Sequence, residues 1–326
     1  MSAIERAWFE RKAWVWLLAP LTVLFFFLSH LRRLLFKWGI KSASKPNVPV
    51  VVVGNISVGG NGKTPVVIAL CEYLKQAGFK PGIVSRGYGG SQSDYPHLIT
   101  EADAPEKVGD EPYLMQQRVQ VPVVIDPARA RGASMLVDGA NCDVILCDDG
   151  LQHYALARDI ELIVVDGQRR HGNEFLLPMG PLREGTWRLN TVDAVICNGG
   201  TAHSNEVQMT LKPGALVNIK HPEQSASLQE ISAPVLAFAG IGHPERFFTT
   251  LSQAGLKIDK TLSFPDHHAF TEKDIPDFDG MIIMTEKDAV KCREIAKENW
   301  WYLPVEGKLP AEFLNQLSDK LRQIKS

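Results

Sequence analysis

The sequence lacks the cysteine patterns that mark disulfide-stabilised or zinc-binding proteins. Its 326 residues include five cysteines, an odd number, and none of them forms a CxxC pair. Their spacing also matches no metal-ligand pattern. We therefore expect a protein of a reducing compartment, with its cysteines buried as small apolar side chains.

The sequence also lacks a large net charge, internal repeats and low-complexity segments. Its formal net charge is only −2, which argues against a protein that binds nucleic acid over its whole surface. The charge is unevenly distributed, because residues 1–45 contain eight basic and two acidic side chains and the remainder has a net charge of −8. A basic end on an acidic body favours an anionic surface as the partner of that end.

Charged residues are absent from residues 13–31, AWVWLLAPLTVLFFFLSHL. This run is close to the ~20 residues that span a bilayer. Three interpretations remain open: one membrane span, a helix lying in the membrane interface, or a buried core helix. Tryptophans at positions 8, 14, 16 and 38 and basic flanks on both sides favour membrane association. They do not decide between spanning and lying flat.

The remaining chain alternates predicted strands with predicted helices, which indicates an α/β fold with a mostly parallel sheet. We expect an N-terminal membrane-associated helix with a basic linker over 1–45, a P-loop NTPase-like domain over 46–228, and a smaller α/β domain over 229–326. Residues 205–232 lack the alternation and are predicted to be a connection. A C-terminal helix is expected from Ala311.

The stretch VVVVGNISVGGNGKTP at 50–65 resembles a phosphate-binding loop but lacks its leading glycine, because position 57 is a serine. A strand precedes the loop and a helix follows it, which is the setting that such a loop requires. We expect ATP to bind here, with the ammonium group of Lys63 at the phosphates and Thr64 at Mg²⁺. The predicted nucleotide contacts in this loop are Ser57, Val58, Gly59, Gly60, Asn61, Gly62, Lys63 and Thr64.

Polar residues follow several other predicted strands, where open α/β sheets bind their ligands. Asp148 and Asp149 end the apolar strand CDVILC and are expected to hold Mg²⁺, with the choice between them open. Arginines after neighbouring strands suit an anionic substrate. The predicted substrate contacts are Arg86, Tyr88, Glu111, Arg129, Gln152, Arg183 and Glu184.

These motifs together resemble one family closely, the tetraacyldisaccharide 4′-kinases, which phosphorylate the lipid A precursor. The matching stretches are the loop at 54–64, SRGYGG at 85–90, VGDEP at 108–112, DPAR at 126–129, DDGLQH at 148–153, GPLRE at 180–184, GIGHPERF at 240–247, FPDHHAF at 264–270 and TEKDAVK at 285–291. The resemblance implies that Ser57 is the form the loop takes in this family.

The resemblance implies a kinase that uses ATP and Mg²⁺ to phosphorylate the 4′-hydroxyl of an acylated glucosamine disaccharide 1-phosphate. Asp110 is the implied acceptor of the hydroxyl proton, and His267, rather than its neighbour His268, is its implied partner. Thr285, Lys287 and Asp288 are implied nucleotide contacts at the adenine end. The implied location is the cytoplasmic face of the bacterial inner membrane, with the membrane surface as a partner and no nucleic acid.

A membrane-associated partitioning or site-selection ATPase is the alternative. Its loop reads KGGxGKT, but this chain has Val58 where that class has its signature lysine. A GTP-dependent metal-insertion protein is a third possibility, and the sequence contains neither the Asn-Lys-x-Asp that reads guanine nor a cysteine cluster.

Overall fold

A computed structural model describes residues 3–325; residues 1, 2 and 326, at the ends of the first and last predicted segments, lie outside the described part. The strands are β1 (Val50–Gly54), β2 (Pro81–Ser85), β3 (His97–Leu98), β4 (Val123–Ile125), β5 (Val144–Asp148), β6 (Ile160–Asp166), β7 (Ala194–Asn198), β8 (Val207–Pro213), β9 (Leu216–Asn218), β10 (Ser225–Ala226), β11 (Val235–Ala239), β12 (Lys260–Ser263), β13 (Met281–Thr285), β14 (Trp300–Leu303) and β15 (Val305–Lys308).

The helices are α1 (Ala3–Phe9), α2 (Ala19–Lys37), α3 (Lys63–Gln76), α4 (Pro105–Val108), α5 (Asp110–Val119), α6 (Arg129–Ala140), α7 (Pro244–Gln253), α8 (Glu286–Cys292) and α9 (Ala311–Lys325). Short 3₁₀ segments cover Ala13–Leu18, Thr186–Thr191 and Leu228–Glu230. The segment Ala13–Leu18 leads directly into α2. Pro20 lies in the first turn of this helix, where a backbone N–H would have no partner within the helix and where proline has none.

The first sheet has the spatial order β15-β8-β7-β6-β1-β5-β2-β4-β3. Its central strand β1 is fully buried and pairs in parallel with β5 and β6. Val51 and Val53 pack towards α3 and α5, whereas Val50 and Val52 pack towards α6. Both faces of the strand are covered by helices, which explains its continuous run of valines. The expected α/β fold with a mostly parallel sheet is confirmed.

The second sheet has the order β10-β9-β14-β13-β11-β12 and is also mainly parallel. Phe247, Phe248 and Leu251 of α7 cover one face. Ala289 and Cys292 of α8 belong to the cluster on the other.

Residues 205–232, expected to be a connection, contain three strands instead. β8 extends the first sheet beside β7, and β9 and β10 are antiparallel strands at the edge of the second sheet. β8 is mostly half-buried or exposed, and β9 and β10 have only three and two residues, so these sequences lack the apolar run of a central strand. The prediction that these residues are only a connection was therefore wrong.

The C-terminus returns to the first sheet. β15 pairs antiparallel with β8, and Leu317 and Leu321 of α9 are buried in the same core as α3. Sheet membership therefore divides the chain differently from the ranges 46–228 and 229–326, because residues 216–303 form the second sheet and residues 305–325 belong with the first. Those ranges stay a prediction as regards independently folding domains.

All five cysteines are free and buried. Burial raises the pKa of Cys71 to about 12 and that of Cys142 to about 11. The thiols therefore behave as the small apolar side chains that the sequence suggested.

Candidate active site

The phosphate-binding loop lies between β1 and α3, and two of its glycines have backbone angles that favour glycine. Gly59 has φ +98 and Gly62 has φ +84. At Gly62 a Cβ atom would lie 1.9 Å from the side-chain nitrogen of Asn198. Any other residue at position 62 would therefore displace either the loop or the end of β7.

Ser57, which replaces the usual leading glycine, has a structural function in the loop. Its hydroxyl accepts a hydrogen bond from the side chain of Asn61 at 2.8 Å. The next residue, Val58, donates its N–H to the carbonyl of Pro181 at 2.9 Å. The serine therefore ties the two ends of the loop together, which a glycine cannot do.

Side chains outside the loop hold its carbonyl groups. Arg169 donates to the carbonyl of Gly60 at 2.9 Å, and Asn198 donates to that of Asn61 at 3.0 Å. In the described part of the chain, the N–H groups from Gly59 to Gly62 donate to no protein acceptor. Backbone donors in this state, next to a helix N-terminus, form a cradle for an anion.

The two aspartates after β5 have different surroundings. Asp149 accepts hydrogen bonds from Arg183 at 3.1 and 3.2 Å and lies 3.5 Å from the ammonium group of Lys63. Burial opposes ionisation of Asp149, but the charges of Lys63 and Arg183 outweigh it and lower its pKa. Asp149 is therefore already paired with cations of the protein.

Asp148 has no such partner. It is 2% exposed, and its Oδ1 is buried without a hydrogen bond, while Oδ2 accepts from Ser85 at 3.1 Å. Burial, followed by the charge of Glu111, raises the pKa of Asp148 to about 7. A buried carboxylate oxygen that has no hydrogen-bond partner and lies beside the loop has the chemistry of a ligand for a divalent cation. The geometry favours Asp148 over Asp149 for that contact.

Asp110 belongs to the part of the chain that forms the first sheet and His267 to the part that forms the second. Their side chains contact each other across these two parts. Asp110 begins α5, and the Nδ1 atom of His267 lies 3.0 and 3.1 Å from its two carboxylate oxygens. Burial disfavours the charge of Asp110, but the hydrogen bond from His267 and the charge of Lys287 lower its pKa. The same hydrogen bond raises the pKa of His267 against the effects of burial and Lys287.

His268 points elsewhere. Its ring stacks on Phe264 with 4.9 Å between centroids and lies 3.4 Å from a carboxylate oxygen of Asp274. All three residues belong to the second unit, the part of the chain over residues 216–303 that forms the second sheet. The structure therefore brings His267, and not His268, to Asp110.

The TEKD stretch lies at the N-terminus of α8. Lys287 Nζ lies 2.8 Å from Glu111 Oε1, 3.1 Å from Asp266 Oδ1 and 3.7 Å from Asp110 Oδ2. Asp288 is fully buried and caps α8 with Thr285, whose hydroxyl accepts from the N–H of Asp288 at 3.1 Å. In this conformation none of these three predicted nucleotide contacts lines the cavity that the loop faces.

The two units touch at the loop itself. A Cβ atom on Gly242 would lie 3.1 Å from the nitrogen of Gly60, so the backbones of the two units are in close approach. Arg246 donates to the side-chain oxygen of Asn198 at 2.8 Å. The GIGHPERF stretch of the second unit thus packs on the phosphate-binding loop and on the residue that holds it.

One cavity of ≈ 1230 Å³ connects these groups. Val58, Gly59, Gly60 and Lys63 line it together with Asp148, Asp149 and His267. All seven predicted substrate contacts also line it, namely Arg86, Tyr88, Glu111, Arg129, Gln152, Arg183 and Glu184. Five of the predicted site residues do not line the cavity itself, namely Ser57, Asn61, Gly62, Thr64 and Asp110.

Helix α2 forms the far wall of the cavity, through Phe25, Leu28 and Ser29 among others. Its most apolar window is only 6% buried, which excludes a core helix. Its exposed large side chains include Leu21, Val23, Leu24, Phe26, Phe27, Leu28 and Leu31. Trp8 differs from the other N-terminal tryptophans, because it is buried and donates to the carbonyl of Pro178 at 3.0 Å. Trp8 is therefore a packing residue, and the prediction that it is a membrane anchor was wrong.

Sequence reasoning missed the residues that support the site. Ser85 holds Asp148, Asn198 holds the loop, and Arg169 fixes the carbonyl of Gly60. Ser85 and Asn198 end predicted strands, and that position was the available signal. No signal at Arg169 pointed to the loop, because it lies 109 positions away along the chain.

Comparison with known proteins places these features in one family. The family model described as tetraacyldisaccharide-1-P 4′-kinase matches residues 14–322. A tetraacyldisaccharide 4′-kinase from Pseudoalteromonas atlantica is 55% identical and covers 94% of this chain and 100% of its own length. A protein of the same name from Shewanella frigidimarina is 51% identical and covers 98% of this chain and 96% of its own length.

A solved structure shows the same fold. The crystal structure of LpxK from Aquifex aeolicus in complex with ATP has a TM-score of 0.80 and 29% sequence identity to this chain. The alignment covers 96% of this chain and 99% of that one.

Proposed function

The chain belongs to the tetraacyldisaccharide-1-P 4′-kinase family, and on that premise we propose how its cavity performs ATP-dependent phosphorylation of the 4′-hydroxyl in the lipid A precursor. The partitioning or site-selection ATPase is not favoured, because the family match extends over nearly the whole chain. The observation that supports this proposal is that the phosphate-binding loop, the Asp110–His267 pair and the exposed apolar helix α2 line or border one cavity.

ATP is proposed to bind with its phosphates against the N–H groups of Gly59 to Gly62. The ammonium group of Lys63 lies beside Asp149 at 3.5 Å and is positioned at the mouth of that cradle. Phosphoryl transfer depends mainly on positioning and charge neutralisation, and both are supplied here by backbone dipoles and one fixed cation.

The residues present also fit Mg²⁺. The unpartnered Oδ1 of Asp148 and the hydroxyl of Thr64, next to Lys63, are the hard oxygen donors that this ion prefers. When bound, Mg²⁺ neutralises charge on the phosphates. Ser85 holds the second oxygen of Asp148 and so fixes the orientation of its carboxylate.

Asp110 is proposed to accept the proton of the attacking 4′-hydroxyl, and His267 is proposed to hold its carboxylate in place. The distances of 3.0 and 3.1 Å between the histidine Nδ1 and the two carboxylate oxygens support this pairing. A protonated His267 makes Asp110 a weaker base. The competent form of the pair is therefore the one in which His267 is neutral and donates Nδ1–H.

Arg86, Arg129 and Arg183 are proposed to bind anionic groups near the transferred phosphate. Arg129 is 6% exposed and its Nε has no partner, so an anion can satisfy it. Burial, followed by the nearby charge of Arg86, lowers the pKa of Arg129 even though the side chain stays ionised. Two close guanidinium groups of this kind suit a phosphate.

Helix α2 is proposed to lie in the membrane interface rather than to span the bilayer. Trp16 contacts Phe175 with 5.2 Å between ring centroids, and Phe36 contacts Tyr154 at 6.1 Å. The helical segment therefore follows the body over about 30 Å, at ~1.5 Å per residue. A helix that contacts the rest of the protein over this length has no separate segment left with which to cross the bilayer. Because the protein uses ATP, the part outside α2 is proposed to lie on the cytoplasmic face of the membrane.

The test is product analysis with labelled ATP and an acylated disaccharide 1-phosphate. The kinase transfers label to the lipid phase, and the Asp110→Asn variant transfers little of it while it still binds ATP. Release of free phosphate without labelled lipid would contradict the proposed function and support an ATPase.

A further inference from the structure

A second group of cations lines the cavity at the end formed by α2. His30, Arg32 and Arg33 face the cavity there, together with Tyr154 and Trp187. The guanidinium group of Arg33 lies 4.2 Å from the ring centroid of Trp187, and the His30 ring lies 5.8 Å from the same side chain. Arg33 is therefore held in place by stacking, which leaves its N–H groups available.

These arginines are not neutralised by the protein. In the described part of the chain, neither Arg32 nor Arg33 has a carboxylate within 4.0 Å. Glu184, an acidic residue of the cavity wall, already accepts from Arg188 at 3.0 Å and from Gln152 at 2.9 Å. Two cations without counterions on a cavity wall form a subsite for an anion.

This group is distinct from the arginines beside the phosphate-binding loop. Arg183 is paired with Asp149, and Arg129 lies close enough to Asp148 and Asp149 to interact with them electrostatically. His153 also lines the cavity. Burial and the charges of Arg129, Arg158 and Arg32 lower its pKa to about 4. The cavity wall therefore carries two groups of cations, one on α2 and one beside the phosphate-binding loop.

We propose that Arg32 and Arg33 bind the phosphate ester at the reducing end of the acylated disaccharide, while its 4′-hydroxyl lies at Asp110. This inference rests on the proposed function, because the family acts on a disaccharide 1-phosphate. Such a substrate has a phosphate at one end and the reacting hydroxyl at the other. Helix α2 then binds the phosphate of the substrate and also holds the protein at the membrane.

A phospholipid headgroup offers the same phosphate ester chemistry, so the experiment separates the two sources. Turnover is measured in detergent micelles with two acceptors that differ only at the anomeric position, a 1-phosphate and a 1-hydroxyl disaccharide. Vesicle co-sedimentation is measured in parallel, with phosphatidylcholine containing phosphatidylglycerol. The variants are Arg33→Gln and Arg32→Gln, and Lys37→Gln is the matched control on the same helix, outside the cavity.

The wild type is expected to prefer the 1-phosphate acceptor by about tenfold or more in kcat/KM, from charge-assisted hydrogen bonds. Arg33→Gln and Arg32→Gln raise the KM for the 1-phosphate acceptor and leave the values for the 1-hydroxyl acceptor unchanged within about twofold. Lys37→Gln keeps the wild-type preference. Arg33→Lys, which retains the charge, restores part of the preference and shows that the change is not one of folding.

The inference is overturned if both arginine variants keep the wild-type preference. It is also overturned if they lower turnover with both acceptors equally, in step with a loss of vesicle binding, because the cations then bind bulk phospholipid. These results differ from failure of the proposed function, in which the wild type labels neither acceptor.

Discussion

Two residues of the candidate site, Asp149 and His267, have left-handed backbones although they are not glycines. Their φ angles are +46 and +59. Such conformations cost about 1–3 kcal/mol for most side chains and persist where the surroundings fix them. The turn at Asp149 follows β5, and the turn at His267 directs its ring across to Asp110. In both places the backbone geometry aims a side chain into the cavity.

The Asp110–His267 pair gives the first prediction. Asp110→Asn and His267→Gln are expected to lower kcat by about 10²–10⁴-fold, because general base catalysis contributes that much. ATP affinity stays unchanged, since neither side chain belongs to the phosphate-binding loop. Single-turnover kinetics and equilibrium ATP binding measure the two quantities.

His268→Gln is the matched control. Its ring packs within the second unit, so it is expected to keep wild-type kcat per folded molecule even if stability falls. Equal losses in the variants at 267 and 268 would contradict the assignment of His267.

The pH dependence of kcat/KM gives the second prediction. The hydrogen bond to Asp110 raises the pKa of His267 above 6.5. The stabilisation from the protonated pair is thus fully present below pH 6.5 and is lost as the pH rises through the raised value. Activity is expected to follow the opposite course and to rise through that pKa, because the neutral histidine leaves Asp110 a better base. In His267→Gln this ascending limb disappears, and an unchanged profile would exclude His267 from the titration.

At the scale of elements, helices α5 and α8 hold the two units in register. Arg118 of α5 makes two hydrogen bonds to Glu286 of α8 at 2.7 and 2.9 Å. Lys287, the next residue, reaches Glu111 at 2.8 Å. Asp110 begins α5, and His267 belongs to the same unit as α8. The contact between α5 and α8 therefore positions the side chains of Asp110 and His267 relative to each other.

Lys287→Met gives the third prediction. The charge of Lys287 lowers the pKa of both His267 and Asp110. Its removal is therefore expected to shift the ascending limb of the pH profile to higher pH and to lower kcat. If Lys287 instead reads the nucleotide, as the sequence suggested, its removal weakens ATP binding with no shift of the limb. Lys297→Met, at an exposed ion pair with Asp277, is the control.

Helix α2 gives the fourth prediction. Leu21 and Leu24 are 56% and 55% exposed and lie one turn apart on the helix. The double change to glutamate is expected to release the protein from vesicles, because two leucines bury enough apolar area for about 1.5–3 kcal/mol each. Co-sedimentation measures the release, and Leu98→Glu, an exposed leucine on β3, is the control. Full vesicle binding by the double variant would contradict the interfacial assignment of α2.

At the scale of the whole molecule, the second unit closes against the phosphate-binding loop through Gly242. Gly242→Val is expected to separate the units, because a Cβ there would lie 3.1 Å from the nitrogen of Gly60. We expect a lower kcat and a longer distance between fluorophores on the two units. Gly139→Ala, whose Cβ meets nothing within 4 Å, is the control. Wild-type turnover in Gly242→Val would show that close approach is not needed.

Closure on the nucleotide follows from the same contacts. His267, Lys287 and Arg246 all reach from the second unit to residues around the loop. Because the structure already shows these contacts, ATP is expected to raise the share of molecules in this closed arrangement and so to shorten the mean distance between the units in solution. A distance that stays fixed over a saturating range of ATP would contradict closure.

The sequence by itself determined the central strand, the loop and the family. Four consecutive valines require burial on both faces, and glycines before a lysine require a loop that approaches an anion. These are local properties, so residues 50–64 contain them. The apolar run at 13–31 likewise predicted an exposed apolar helix, but its composition did not predict that this helix packs along the rest of the protein.

Only the tertiary structure decided which side chains meet. His267 and Asp110 are 157 positions apart, and Lys287 and Glu111 are 176 apart. The sequence did not predict strands β8 to β10, because β8 is mostly half-buried or exposed and β9 and β10 have only three and two residues. None of them therefore has a run of buried apolar residues. The contact of His267 rather than His268 with Asp110 joins distant segments. The proposals for Asp148 at the metal and for α2 in the membrane interface likewise rest on contacts between distant segments. Such contacts arise from the joint packing of two sheets and a helix, and no local pattern of residues specifies them.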